Sequence, residues 1–412
     1  MDSVDRADRA ERGRARPARR RALLGGFALA LSALMLLPDS AIAATFFKCS
    51  DPDFTRTTNA SQAARWAVTS KEIVVNQSDF PTGEFRRAVN DAIRFWNDAP
   101  QNFRFTTKFA DQTVALGDKK VSIGFQTQNF RRVCGTVAAC APSIYTCDGI
   151  TEADVFMNSS VLFSGSSERA MLLGYGGLFQ SLRSTIMHEL GHAIGLLHTA
   201  GRYNLMASNQ RHFLSNGIFA YSYVGEDASV GAVALYGKHP RAKPDLSVTH
   251  WRSCGNSRMG GTVENHCFNR ITRTNGSPFP NAPRISNEAF CGHQCLTERV
   301  YDVKRGDTVD VEFTFENSGP ETARDVRVAY FFSTDDNITT SDLRFFRTDT
   351  FVLTRGAPDH RKIRLTIPPN DVDRKPLVDN RQYFIGAIID VDGRFAEHDE
   401  KNAAYMPVRI VP

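Results

Sequence analysis

The sequence predicts two folded units of different class: an α+β unit over residues 44–241, with a twisted mixed sheet and long helices, and an all-β sandwich over 301–412. Three observations predict this. Apolar residues recur at helical spacing in two stretches of the first half, whereas apolar and polar residues alternate in the last third. Between them, Lys238-His239-Pro240-Arg241-Ala242-Lys243-Pro244 combines two prolines with basic residues, the composition of a break between domains. At 412 residues the chain is also long enough to bury two cores.

Residues 1–43 read as an export signal belonging to neither unit. An arginine-rich lead ends at Arg19-Arg20-Arg21, an apolar run follows over 22–37, and Ala41-Ile42-Ala43 offers a small-residue cleavage site. The run is shorter than the roughly 20 residues that a membrane-spanning helix needs. Arg20-Arg21-Ala22-Leu23-Leu24 also fits a twin-arginine pattern, so the general and twin-arginine export routes both stay open. The expected destination is the periplasm, the cell surface or the medium. Residues 1–43 hold eight arginines against five acidic side chains, which is +3 of the net +5. The remaining chain is nearly neutral, and its charge gives no reason to expect nucleic acid or an anionic membrane as a partner.

In the α+β unit, residues 82–96 are expected to form a helix with Phe85, Val89, Ala92, Ile93 and Trp96 on one face, and 121–125 and 153–156 to form strands. A second helix carries the stripe Leu182, Ile186, Leu190, Ile194 and runs into His188-Glu189-Leu190-Gly191-His192-Ala193-Ile194-Gly195-Leu196-Leu197-His198. His188 and His192 project from one helix face toward a single metal, with Glu189 beside the water that such a metal would bind. Gly195 lets the chain turn sharply so that His198 returns as a third ligand. Three neutral imidazoles suit one Zn²⁺ and leave its fourth position open, which is a catalytic arrangement rather than a structural one. Glu189 would then act as general base on a zinc-activated water.

This motif resembles that of the metzincin metallopeptidases, whose fold is an α+β catalytic domain with a zinc-binding active-site helix. Met206 in Tyr203-Asn204-Leu205-Met206-Ala207 stands where that family places its Met-turn, eight residues after His198 as in the matrixins, and position 208 is Ser rather than the tyrosine ligand of astacins and serralysins. Residues 225–237 are similar to the closing helix of a matrixin, with Asp227 as its cap and Gly237 as its end. The resemblance implies a zinc metalloendopeptidase acting on proteins or peptides. It also implies that residues 207–223 form the wall of the pocket beyond the cut, where Phe213, Phe219, Tyr221 and Tyr223 would line an apolar pocket or else be ordinary core. Neither the second zinc cluster of vertebrate matrixins nor a set of calcium ligands is recognisable in this half, so neither ion is carried over from the resemblance, and Ca²⁺ stays an open, unsupported option at the acidic turns of the last third.

Eight cysteines divide evenly, Cys49, Cys134, Cys140 and Cys147 before the break and Cys254, Cys267, Cys291 and Cys295 after it. In an exported chain this suggests up to four disulfides of unspecified pairing. Two other readings stay open. Lys48-Cys49-Ser50-Asp51-Pro52-Asp53 resembles the cysteine switch of matrixin propeptides, and the distal cysteines with His266 and His293 could hold a structural zinc.

Residues 242–300 are expected to be a linker strand with a cysteine-rich insertion. Beyond them Val309, Val311, Phe313 and Phe315 alternate with polar residues, as do Val326, Val328, Tyr330 and Phe332; 316–320 and 391–393 read as turns, and 382–390 as a further strand. Pro244-Asp245-Leu246-Ser247-Val248, Asn317-Ser318-Gly319, Phe332-Ser333-Thr334-Asp335 and the closing Glu397-His398-Asp399-Glu400-Lys401-Asn402 resemble the CARDB domain, an immunoglobulin-like sandwich. That resemblance implies a role in binding a substrate, the cell wall or a surface ligand. A rival reading makes the whole chain a cell-surface adhesion protein on a peptidase-like scaffold. Oligomeric state and substrate are not written in the sequence.

Overall fold

Strand residues Ile73, Val75, Val121, Ile123 and Val155 are buried, and a sheet forms where these β-branched runs can be covered on both sides. A computed structural model describes residues 44–48, 56–126, 130–207, 211–256, 264–280, 298–372, 375–400 and 402–412. The expected export signal, the switch-like segment with Cys49, and Cys291, His293 and Cys295 lie outside these residues.

The sheet of the first unit runs Arg104–Ala110, Ser70–Asn76, Val121–Gln126, Val155–Asn158 and Ala139–Cys140 in spatial order. The first four are parallel and the last, at the edge, is antiparallel. Helix Glu84–Asp98 buries Ala88, Val89, Ala92, Ile93 and Trp96 against it. It begins two residues later than the sequence suggests, because Gly83, at φ 124°, is still outside the helical region. Trp96 then reaches helix Leu182–Ala193, where its indole N–H donates to the Met187 carbonyl at 2.8 Å. Gly191 makes the close packing possible: a Cβ there would lie 2.4 Å from the Met206 sulfur.

The second unit is a sandwich of two sheets. In one, Thr308–Asn317 pairs with Leu246–Thr249 and Ile271–Arg273 along one edge and with Asp359–Thr366 along the other. The other sheet runs Tyr301–Val303, Ala403–Ile410, Gln382–Ile389, Ala323–Ser333 and Leu343–Leu353. All eight alternating residues, Val309 to Phe315 and Val326 to Phe332, point into the core between the sheets and are fully buried. The expected linker and insertion therefore contribute two sandwich strands. The rest of that stretch contains a hairpin, Trp251–Asn256 against Glu264–Phe268, closed by a Cys254–Cys267 disulfide. Among the described residues no helix is long and apolar enough to cross a membrane.

The two units meet over buried polar contacts. Helix Glu226–Tyr236 has no side-chain cap of its own; Gly225 precedes it at φ 73° and Asp227 lies inside the first turn, not at the cap position the sequence suggested. The acceptor comes instead from the sandwich, where Glu316 Oε1 takes the Glu226 N–H at 3.1 Å. Glu226 returns the contact, accepting the backbone N–H groups of Asn317 at 3.3 Å and Ala357 at 2.8 Å. Gly237, at φ 75°, ends the helix as expected.

Phe315 is fully buried, with its ring 5.1 Å from that of Phe351, next to this seam. Phe315→Ala is expected to cost about 3–5 kcal/mol in urea unfolding; a cost below about 1 kcal/mol would contradict the packing described.

Candidate metal centre

Ser181 caps helix Leu182–Ala193 by accepting the Ser184 N–H at 3.2 Å, which fixes where the helix that carries His188 and His192 starts. Leu182, Ile186 and Leu190 are buried on the opposite side. The helix ends at Ala193, with the Ile194 N–H returning to Leu190 O at 3.1 Å. Gly195 follows at φ 101°, and a Cβ there would also meet the Ala64 carbonyl at 2.8 Å. The reversal delivers Leu196–Leu197 antiparallel to Thr45–Phe47, and Thr45 Oγ1 donates to the His198 carbonyl at 2.7 Å.

The result is a convergence of three imidazoles. Nε2 of His188 lies 3.1 Å from Nε2 of both His192 and His198. This is close to the edge of about 3.3 Å of a tetrahedron whose arms are zinc–nitrogen bonds of about 2.0–2.1 Å. The other ring nitrogens are engaged: His188 Nδ1 faces Leu205 O at 2.8 Å and His192 Nδ1 faces Leu196 O at 2.7 Å. A carbonyl only accepts, so Nδ1 must carry the proton and Nε2 a lone pair directed inward. Burial first, and then the neighbouring rings, hold His188 well below its ordinary value; burial pushes His192 down to about 3 and His198 to about 4. At neutral pH all three rings are uncharged and their Nε2 atoms converge on one point, which fits a divalent cation.

Glu189 is buried beside them, and burial alone pushes its carboxyl up to about 8. A cation held by the imidazoles would draw that value down and favour the carboxylate. All four groups line one open cleft of about 920 Å³. Its lining includes Ala138 to Pro142, around the antiparallel edge strand, and Cys134–Cys140 ties that strand to the preceding short helix. Arg56 and Arg211 also reach the cleft.

Met206 is buried against the helix, with its carbonyl accepting the Thr199 N–H at 3.2 Å. The four aromatics of the expected pocket wall do not line this cleft. Phe213 and Tyr223 belong to a satellite core with Trp251, while Phe219 is exposed, so the apolar side of the cleft comes from residues such as Val133, Val137 and Leu173. Cys147 is exposed on a hairpin turn. Cys254 and Cys267 are bonded to each other, which removes both thiols from any structural zinc, and His266 is engaged with the Arg211 carbonyl and the Asn204 N–H.

One cluster escapes the sequence. Carboxylate oxygens of Asp118, Glu152 and Asp154 lie within 4.8 Å of one another, the two last buried. Glu152 accepts the Gly117 and Lys119 N–H groups, and Asp154 Oδ1 accepts the Ser122 N–H at 2.9 Å. Burial, and then the adjacent Glu152, push Asp154 up to about 8. No spacing announces the trio because Asp118 comes from a distant loop, far in sequence from the neighbouring Glu152 and Asp154.

Comparisons with known proteins agree with the first unit. Residues 65–236 match the family model of the matrixins. No curated protein matches the chain. Among solved structures, the crystal structure of a CARDB domain from Pyrococcus furiosus, in complex with di-metal ions, aligns at 14% identity over 41% of this chain and 94% of that one, with a TM-score of 0.22. A solution structure of that domain aligns at 14% identity over 41% of this chain and 96% of its own, again at 0.22. A DNA-bound alkylpurine glycosylase from Pseudomonas fluorescens aligns at 15% identity over 26% and 27%, at 0.19. The sandwich architecture rests on its own strand pairing rather than on these overlaps.

Two outcomes follow from this geometry. Gly195→Ala, strained at positive φ and blocked by the Ala64 carbonyl, is expected to weaken zinc binding at least tenfold in a chelator competition. Asp154 has its folded value raised, so its ionisation opposes folding increasingly from pH 4 to pH 8. Without divalent cations, Asp154→Asn should therefore raise the melting temperature by several degrees at pH 8 and by little at pH 4.

Proposed function

We propose that the chain is an exported zinc-dependent endopeptidase, with residues 65–236 as its matrixin-type core, His188, His192 and His198 as zinc ligands and Glu189 as general base. The observation that carries this reading is the convergence of three imidazole Nε2 atoms beside the buried Glu189 in an open cleft. Bound zinc would supply Lewis acidity, bringing the pKa of a water toward about 7 and polarising the scissile carbonyl. Glu189 takes the proton of the attacking water and returns it to the departing amine. Its burial keeps bulk water from competing for that proton.

The edge strand Ala139–Cys140 gives the substrate its direction. Paired with Val155–Asn158 on one side, it borders the cleft on the other, where an extended peptide can add as a further strand through main-chain hydrogen bonds. Such binding is indifferent to most side chains and suits cleavage within a polypeptide. Residues 44–412 are the mature form in this reading, acting in the periplasm, at the cell surface or in the medium. Against the adhesion-scaffold alternative stand the three converging imidazoles and the buried Glu189 beside them, which support catalysis.

The test is a pair of substitutions assayed on an unfolded protein substrate. Glu189→Ala should keep one zinc per chain and lose at least about 10³-fold in kcat. His192→Ala should lose both zinc and cleavage. Turnover by Glu189→Ala at the parental rate would overturn the assignment.

A further inference from the structure

Glu316 is a carboxylate in the sandwich strand Thr308–Asn317 that is buried, with its acceptor sites directed out of the sandwich and into the peptidase unit. Oε2 accepts the Tyr223 hydroxyl and faces His212 Nε2 at 3.2 Å; Oε1 accepts the Glu226 N–H at 3.1 Å. His212 and Tyr223 lie between the Met206 turn and the closing helix, and Glu226 opens that helix.

From His212 the contacts continue to the metal centre. Its ring lies between two tyrosines, with centroids 4.0 Å from Tyr223 and 4.5 Å from Tyr203, and Nδ1 faces the Tyr223 carbonyl at 3.2 Å. Tyr203 is locked in turn: its hydroxyl donates to the Phe213 carbonyl at 3.1 Å and accepts the Phe213 N–H at 2.9 Å. Two residues further along, the Leu205 carbonyl takes the Nδ1 proton of His188. Gly225 closes the arrangement, since a Cβ there would lie 2.3 Å from the His212 ring and 3.2 Å from Glu316.

We infer that Glu316 of the sandwich is a positioning residue for the metal centre, holding through His212 and Tyr203 the turn whose Leu205 carbonyl orients His188. The sandwich then completes the active site instead of serving only as a separate binding module. A carboxylate buried this deeply is stable only while its donors remain in place, so each unit fixes the other. The inference rests on the zinc-peptidase reading for its consequence in catalysis, but not for its geometry.

The test uses the full chain with Glu316→Ala, Glu316→Gln and, as a control at an exposed contact of the same seam, Glu321→Ala, which breaks the ion pair with Lys238. In folded Glu316→Ala, zinc affinity by chelator competition should fall at least tenfold and kcat at least tenfold, with KM changed less than threefold. Glu316→Gln should recover part of both losses, and Glu321→Ala should match the parent. If Glu316→Ala does not fold, Tyr223→Phe, which removes one donor and keeps the ring, should shift zinc affinity in the same direction. Unchanged zinc affinity and kcat in variants whose melting temperature alone has dropped would overturn the inference. If the parent neither binds zinc nor cleaves peptide, the peptidase reading fails, and the His188 Nδ1 proton in the NMR spectrum of the metal-free protein decides this one. A resonance preserved in the parent and lost in Glu316→Ala supports it; a resonance preserved in both overturns it.

Discussion

Three imidazoles that must be close together, unprotonated and aimed at one point set the terms for the rest of the first unit. Backbone carbonyls of Leu205 and Leu196 fix the tautomers, so the turns carrying those carbonyls have to be as rigid as the helix carrying the rings. The helix is rigid because it is buried on nearly every side, pinned by the Trp96 indole and packed through Gly191 against Met206. The turns are rigid for different reasons. Gly195 allows the reversal that returns His198, and pairing of Leu196–Leu197 with Thr45–Phe47 holds the reversed chain in place.

The second structural commitment is the exchange of two glutamates across the seam. Leaving either carboxylate buried without donors would cost several kcal/mol, whereas paired each is satisfied by the opposite unit. Glu226 remains the weaker partner, because burial pushes its carboxyl up to about 8 even with the Ala357 and Asn317 N–H groups in place. Its folded value being raised, its ionisation opposes folding as pH rises from about 4.5 to about 8. The buried histidines act in the other direction. His250 and His266, both pushed down to about 3 by burial, leave stability unaffected above about pH 6.5 and oppose folding increasingly as pH falls from there toward 3.

Much of this was legible in the sequence, and what was not shares a cause. The motif from His188 to His198 announces its chemistry because the ligands are local in sequence, one helical turn and one sharp reversal apart. The sandwich strands announce themselves because Val309 to Phe315 and Val326 to Phe332 alternate with period two. The cap of the closing helix was misplaced on Asp227 because the true acceptor, Glu316, comes from the other unit. The carboxylates of Asp118, Glu152 and Asp154, and the approach of Arg56 and Arg211 to the cleft, exist only once distant loops are folded together. Phe213 and Tyr223 lie in the segment expected to wall the pocket, yet they turn away into a core with Trp251, a choice no local pattern encodes.

The central claim is that this cleft hydrolyses peptides with one zinc held by His188, His192 and His198. It is tested most directly by stripping the purified chain with a chelator and titrating zinc back while following both bound metal and cleavage of a mixed peptide library. The account predicts that cleavage disappears on stripping and returns in proportion to zinc, with a break at one equivalent per chain. Cleavage that survives complete removal of metal, or one tightly bound zinc with no cleavage of any peptide, would contradict it.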